Sequence, residues 1–143
     1  MAWNKNDLLP ENEIKVKVTD ATVKFAERFG KYLGSDDIYV DEKGRKQKVE
    51  KLTTSQLRKF FGEVKRQQMV GYKETDFVLL KPKLAYAVGR AKGKQSKIGD
   101  FYIVLSDMIN KVTNEDDFKR FIKAFEAIVA YHKASEEAKD IIF

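Results

Sequence analysis

The spacing of hydrophobic residues along the chain predicts five helices. In each helical stretch, apolar residues recur three or four positions apart, as on the buried face of an amphipathic helix. Breakers are few, since the chain has only eight Gly and two Pro. The sequence therefore predicts an all-α fold, a five-helix bundle that forms a single domain over residues 1–143. The predicted helices cover residues 18–33, from 53 onward, 74–91, about 97–112, and from 113 or 114 onward.

The second predicted helix has the clearest start. Thr53 can act as its N-cap, and Gln56 three residues later can bond back to it, so that the two form a capping box. An apolar stripe follows at the spacing of one helix face. It consists of Leu57, Phe60, Phe61 and Val64.

The third predicted helix differs from the others because residues 74–91 are apolar almost all round. Such a helix is normally central to a bundle. Pro82 lacks a backbone N–H, so it either opens this helix at its first turn or kinks a longer one.

Three segments lie outside the predicted helices. Residues 38–49 are rich in charge and predict a long charged loop between the first and second helices, although a brief strand at 38–40 stays open. Residues 1–17 predict an extended N-terminal arm. Residues 134–143 form a tail that continues the last helix, folds back, or docks on a partner through Ile141, Ile142 and Phe143.

The composition, 43% hydrophobic and 35% charged, suits a globular protein. The chain has no cysteine, which excludes disulfides and thiolate chemistry. Residues 1–17 carry Asp7, Glu11 and Glu13 and lack the apolar run of a secretory signal. No stretch approaches the ~20 apolar residues that span a membrane. We therefore expect a cytoplasmic protein.

Positive charge is concentrated in the middle of the sequence. Residues 41–97 contain sixteen Lys or Arg and six Asp or Glu, a balance of +10, whereas the preceding residues sum to −1 and the following ones to −3. A segment of this kind is typical of a polyanion-binding surface. A solvated basic surface that aids solubility is an equally good interpretation of the charge alone.

The residues that could carry catalysis or bind a metal do not form a site. The only histidine, His132, falls on the apolar side of the last predicted helix, where a hydrogen-bonded packing role is the usual one. One His and no Cys leave only carboxylates for zinc. The sequence also lacks a phosphate-binding glycine loop and a hydrolase elbow. We expect no enzyme activity, no cofactor and no metal.

Basic residues recur along single lines of two predicted helices. Arg58 and Lys65 share one flank of the second helix, and Lys83 and Arg90 share a line on the third. Cations in a row can follow a phosphate backbone. Tyr86 lies in the second line, where it either packs with its hydroxyl at the rim or stacks on an unpaired base.

Three stretches, in this order, resemble signatures of the small subunit of type III-A CRISPR interference complexes, the Csm assembly. The stretch LTTSQLRKFF at 52–61 resembles the opening of that family's central helix. The stretch LLKPKLAYAVGR at 79–90 is similar to its next signature, and FIKAFEAIVAYHK at 121–133 to its C-terminal one.

The resemblance implies a non-catalytic, multi-copy RNA-binding subunit that acts in antiviral defense. In that family, copies stack head to tail beside the guide-RNA filament and direct basic residues towards the target RNA. The implied partners are target RNA and guide RNA, other subunits of the Csm complex, and copies of the chain itself, with no membrane. The implied RNA-binding residues are Arg58, Lys83 and Arg90 inside the motifs, Lys51 and Lys65 beside the first motif, and Lys81 as a weaker member.

Two other functions remain open from the residues alone. A helical bundle with a basic segment could be a protein–protein adaptor that meets an acidic partner. The same charges also permit a basic DNA-binding helical protein.

Overall fold

A computed structural model describes residues 3–90 and 96–138, except for the side chains of 137 and 138. The helices in these residues pack around a core that extends from Leu9 to Ile128. A small antiparallel hairpin lies between the second and third helices. In chain order the elements are α1 (Glu11–Lys15), α2 (Asp20–Leu33), β1 (Asp37–Val40), β2 (Lys46–Val49), α3 (Thr54–Val70), α4 (Glu74–Val78), α5 (Leu80–Arg90), α6 (Ile98–Asn110) and α7 (Glu115–Ala138).

The closest packing in the core is between α2 and α7. Gly30 on α2 and Gly34, which caps the end of α2, lie directly against the α7 backbone. A Cβ atom built on Gly30 would be 2.7 Å from the Cβ of Tyr131 and 2.8 Å from the backbone N of His132. Since real Cβ atoms do not approach so closely, the two helices reach this separation only because a glycine stands at the contact.

The predicted helix starts are confirmed where they depend on local capping. The Thr53 hydroxyl accepts a hydrogen bond from the Gln56 backbone N–H, and the Gln56 side chain accepts one from the Thr53 backbone N–H (2.9 Å), so the capping box forms. At the start of α7, the Asn114 side chain accepts from the Asp117 backbone N–H at 2.8 Å. Both caps satisfy amide groups that have no partner inside the helix.

The charged loop predicted over residues 38–49 is not confirmed, because these residues form most of a β-hairpin. β1 and β2 pair with Val40 opposite Lys46 and Ile38 opposite Lys48. Asp41 closes the turn by accepting the backbone N–H groups of Lys43 and Arg45, both at 2.9 Å, and Gly44 adopts a positive φ of 75°.

The third predicted helix is divided and is not central. α4 ends before Leu79, and Pro82 lies in the first turn of α5, where its missing N–H costs nothing. Phe77, Leu80 and Leu84 are buried. Val78 and Leu79, in contrast, are 45% and 48% exposed, so the opposite apolar face meets solvent. Because α1 and α4 add to the predicted helices, the count of five is also not confirmed.

Within residues 3–17 the chain forms α1 and contributes to the core, which differs from the extended arm predicted over residues 1–17. Leu9 and Ile14 are buried. Lys15 pairs with the buried carboxylate of Asp117, which also accepts from Thr113 and Arg120. Burial alone would raise the pKa of Asp117, but these hydrogen bonds outweigh it and lower the pKa to about 2.

The C-terminal tail is described only in part. α7 continues to Ala138, so the first residues of the predicted tail prolong the helix. Ile141, Ile142 and Phe143, which were expected to fold back or dock, lie outside the described residues.

One lysine is buried at the junction of three elements. The Lys97 ammonium donates to the Tyr32 backbone carbonyl at 2.7 Å and pairs with the Asp37 carboxylate at 2.8 Å. It also lies 4.0 Å from the centroid of the Tyr32 ring. The side chain of Lys97 is 0% exposed, so its charge depends on these contacts, which connect α2, β1 and the start of α6.

Candidate nucleic-acid interface

A groove of about 1110 Å³ lies between α3 and α5 and ends at the start of α6. Its apolar lining includes Leu52, Leu84 and Phe101, which belong to the core. Its other lining residues are mostly polar or charged. Four of these are cations: Arg58, Lys59, Lys83 and Arg90.

The two helices place these cations on facing walls. Arg58 and Lys59 are exposed on α3, in the turn after the capping box. Lys83 and Arg90 are exposed on α5, seven residues apart, which corresponds to two turns and ~10 Å along the axis. The groove therefore presents positive charge along both sides, a distribution that suits a chain of phosphates.

The cations of the groove are not equally available. Lys83 forms an ion pair with Glu63 at 3.0 Å, and Arg66 pairs with the same carboxylate at 2.7 Å. Hydrogen bonds from Arg66 and then Lys83 lower the pKa of Glu63 to about 2. Within the described part of the chain, Arg58 and Arg90 make no salt bridge. The same holds for Lys59, so three unpaired cations line the groove.

Tyr86 lies in the groove between the two cations of α5. Its side chain is 70% exposed, the highest value among the six tyrosines. The Arg90 guanidinium carbon is 6.0 Å from the centroid of its ring. The interpretation of Tyr86 as an ordinary packing residue is therefore wrong, because most of the ring meets solvent.

The structure brings together three of the six predicted RNA-binding residues. Arg58, Lys83 and Arg90 line the groove, whereas Lys51, Lys65 and Lys81 do not.

The other three predicted residues are engaged elsewhere. Lys51 pairs with Glu136 at 3.4 Å and is 21% exposed. Lys65 pairs with Glu126 on α7 at 3.0 Å. Lys81 donates to the Asn110 side chain at the end of α6, at 2.6 Å.

Lys59 lines the groove, although it was not among the predicted RNA-binding residues. Lys59 follows Arg58 directly, and adjacent helical residues point in directions that differ by about 100°. A search for cations on one helix face therefore does not group Lys59 with Arg58. Both residues line the groove because α5 and the start of α6 leave a wide opening beside α3. Only the position of neighbouring elements could have identified Lys59.

His132 has the packing role that was predicted. It is buried, and its Nε2 lies 2.6 Å from the Leu52 carbonyl oxygen, to which it donates in the corresponding tautomer. No group of three or more His, Cys, Asp or Glu within residues 3–90 and 96–138 could hold a metal ion. In the same residues, no helix has both the length and the hydrophobicity needed to cross a bilayer.

Comparison with known proteins identifies a family. The sequence model of the family described as Csm2 Type III-A matches residues 17–138, which include α2 to α7 and all three motifs noted in the sequence. No curated protein and no solved structure matches the chain. Because the matched region covers most of the sequence, the resemblance is confirmed, and the chain belongs to the Csm2 Type III-A family, the small subunits of the type III-A Csm complex.

Proposed function

We propose that this chain is a non-catalytic RNA-binding subunit of the cytoplasmic Csm complex and that its α3–α5 groove contacts the RNA backbone. The observation that carries the proposal is the set of three unpaired cations, Arg58, Lys59 and Arg90, on a groove with an apolar floor. Target RNA and the guide–target duplex are the proposed ligands. Family membership supports a place in the Csm complex, and the cations of the groove support the binding of a polyanion.

The proposed contacts are independent of sequence. Arg and Lys side chains neutralise phosphates and release counterions, which gives affinity without reading bases. Specificity in the complex would then come from guide–target pairing. Three contacts on one subunit give weak binding, and head-to-tail stacking of several copies along one RNA would raise the total affinity through avidity.

Exposed apolar side chains support contacts with neighbouring subunits. Met69 and Val70 at the end of α3 are 87% and 57% exposed. Val78 at the end of α4 and Leu79 directly after it are close to half exposed. Contiguous exposed apolar surface is typical of protein–protein contacts, and the two residues of each pair are neighbours in the sequence. These exposed side chains also favour the second candidate function, a protein–protein adaptor that binds partner proteins and not RNA.

The first experiment compares two double variants that remove equal charge. Arg58→Gln with Arg90→Gln removes two groove cations, and Lys65→Gln with Lys81→Gln removes two cations outside the groove. Fluorescence anisotropy with a labelled single-stranded RNA, measured from 50 to 200 mM salt, reports affinity and salt dependence. Circular dichroism checks that each variant keeps its helices.

We expect the groove variant to lose about tenfold or more in affinity at low salt. Its plot of log affinity against log salt should flatten by about 1.4, since each lost single-strand phosphate contact removes roughly 0.7. The control should change affinity by less than about threefold. Equal losses of affinity in both variants would contradict the proposal that the groove is the binding site and would indicate that net charge alone attracts RNA. Tighter binding of duplex DNA than of RNA at equal salt would instead favour the DNA-binding alternative.

A further inference from the structure

The exposed ring of Tyr86 needs an explanation that phosphate contacts do not provide. A phenol ring has no charge, so it adds nothing to the counterion release on which backbone binding depends. Of the described aromatic residues, Tyr86 is the most exposed, at 70%. The side chain nevertheless stands in the groove that carries the cations.

The position of Tyr86 on α5 places it between two cations. Lys83 precedes it by three residues and Arg90 follows it by four, the two spacings that put helical side chains on one face. The Arg90 guanidinium lies 6.0 Å from the ring centroid, within the range of a cation–π contact. One side of the ring is thus contacted by a residue to which the proposed function assigns a phosphate contact.

We propose that Tyr86 is a stacking platform for an unpaired base of the bound RNA, with Arg90 holding a phosphate next to that nucleotide. The inference rests on the proposed function, because it needs RNA in the groove. It adds a ligand preference: the groove favours RNA that presents at least one unstacked base. Every base has a π-face, so the preference concerns pairing state and not sequence.

A paired base cannot use this platform as well as an unpaired one. In a continuous duplex both faces of each base are covered by neighbouring bases, and exposing one face requires unstacking. Tyr86 should therefore contribute to binding of single-stranded RNA or of a duplex with a displaced nucleotide. It should contribute little to a fully paired duplex, which the cations alone would hold.

The test uses the full chain with two substitutions at Tyr86. Tyr86→Leu keeps an apolar, helix-compatible side chain and removes the ring, whereas Tyr86→Phe keeps the ring and removes the hydroxyl. Tyr39→Leu, on the exposed hairpin and outside the groove lining, is the matched control. Each protein is titrated with a 12-nucleotide single strand, with the fully paired duplex of the same sequence, and with a single strand of abasic nucleotides.

We expect Tyr86→Leu to weaken single-strand binding about tenfold, within the range of roughly 5- to 100-fold for the loss of one base–aromatic stack. Tyr86→Phe should stay within about twofold of the wild type. Neither substitution should change duplex or abasic binding, or the salt dependence. Tyr39→Leu should leave all three RNAs unaffected.

Other outcomes separate this inference from the proposed function. If Tyr86→Leu binds the single strand as well as the wild type does, while the Arg58 and Arg90 double variant loses binding, stacking is refuted and the phosphate groove stands. Equal losses on the single strand and the abasic strand would also refute stacking, because no base is then involved. If the wild-type chain binds none of the RNAs, both the proposed function and this inference are refuted.

Discussion

The Glu63 carboxylate stands on the wall of the groove and pairs with two cations, Arg66 at 2.7 Å and Lys83 at 3.0 Å. The substitution Glu63→Gln keeps the shape of the side chain and removes its charge. We expect two effects of opposite sign. The folded state should become less stable, because the carboxylate stabilises two cations, and RNA binding should become tighter, because the same carboxylate repels phosphates.

The effect on stability can be estimated from the pKa of Glu63, which falls from 4.5 to about 2. At ~1.36 kcal/mol per pKa unit, this difference corresponds to roughly 3 kcal/mol. We expect about 2 kcal/mol, since both cations are more than half exposed and solvent screens the pair. The folded pKa is the lower one, so this stability is present above about pH 4.5 and is lost as the pH falls towards 2.

Urea unfolding followed by circular dichroism measures this contribution. Glu63→Gln should unfold about 2 kcal/mol more easily than the wild type at pH 7, and the gap should shrink as the pH falls towards 2, where the wild-type carboxyl takes up its proton. A gap that persists at low pH would refute the electrostatic origin and would point to shape or packing.

The effect on RNA binding is smaller. A unit charge about 7 Å from a phosphate contributes roughly 0.6 kcal/mol in water, and release of Lys83 adds a contact of similar size. Together these give about 1 kcal/mol, or about fivefold tighter binding at 50 mM salt. The gain should shrink at 0.15 M, where the Debye length is ~8 Å. The measurement is the same anisotropy titration with single-stranded RNA.

Glu126→Gln is the control for both effects. Glu126 also pairs with a cation of α3, Lys65 at 3.0 Å, but that pair is outside the groove. The control should lose less than 1 kcal/mol, because both side chains are over 40% exposed. Its RNA affinity should rise less than that of Glu63→Gln. If both substitutions tighten RNA binding equally, the reasoning is refuted, because net charge would then explain the gain.

Two further predictions concern the fold. Gly30→Ala should destabilise the chain by about 1–3 kcal/mol in thermal unfolding, because its methyl group would lie 2.7 Å from the Tyr131 Cβ. Gly62→Ala, on an α3 position with nothing within 4 Å of the new Cβ, should stabilise it by about 0.5–1 kcal/mol, and a loss at both sites would contradict the packing argument. Lys97→Met should cost about 2 kcal/mol in urea unfolding, because it removes the hydrogen bond of the buried ammonium to the Tyr32 carbonyl and its 2.8 Å contact with Asp37, whereas an unchanged midpoint would show that these contacts add nothing.

Local sequence rules predicted those parts of the fold that local physics decides. The capping box at Thr53 and Gln56 formed as expected, because all its atoms lie within four residues. The apolar stripe of α6, from Ile98 to Ile109, is buried because its spacing fits a single helix face.

The features that failed depend on distant neighbours. Of the hairpin at residues 37–49, only a brief strand at 38–40 was left open, because the exposed positions of β2 carry Lys46 and Lys48, which weaken the strand pattern. Val78 and Leu79 were predicted to lie in a central helix of the bundle, but they are close to half exposed. The sequence does not reveal which apolar face another element will cover. Lys97 was predicted only as the approximate start of a helix, and the pattern gave no sign that contacts with Tyr32 and Asp37 bury its side chain.

The same limit applies to the candidate interface. Charge spacing and the family resemblance together selected six cations, and only the placement of α5 against α3 separates the three that line the groove from the three that pair elsewhere. Glu63 shows why such placement matters for the proposed function. By pairing with Lys83 it compensates the charge of one groove cation, so that a single subunit would bind RNA more weakly than its cations alone suggest. Weak single-site binding would suit the proposed multi-copy stack, because total affinity would then depend on several copies engaging one RNA at once, and a short RNA that reaches only one copy would be released.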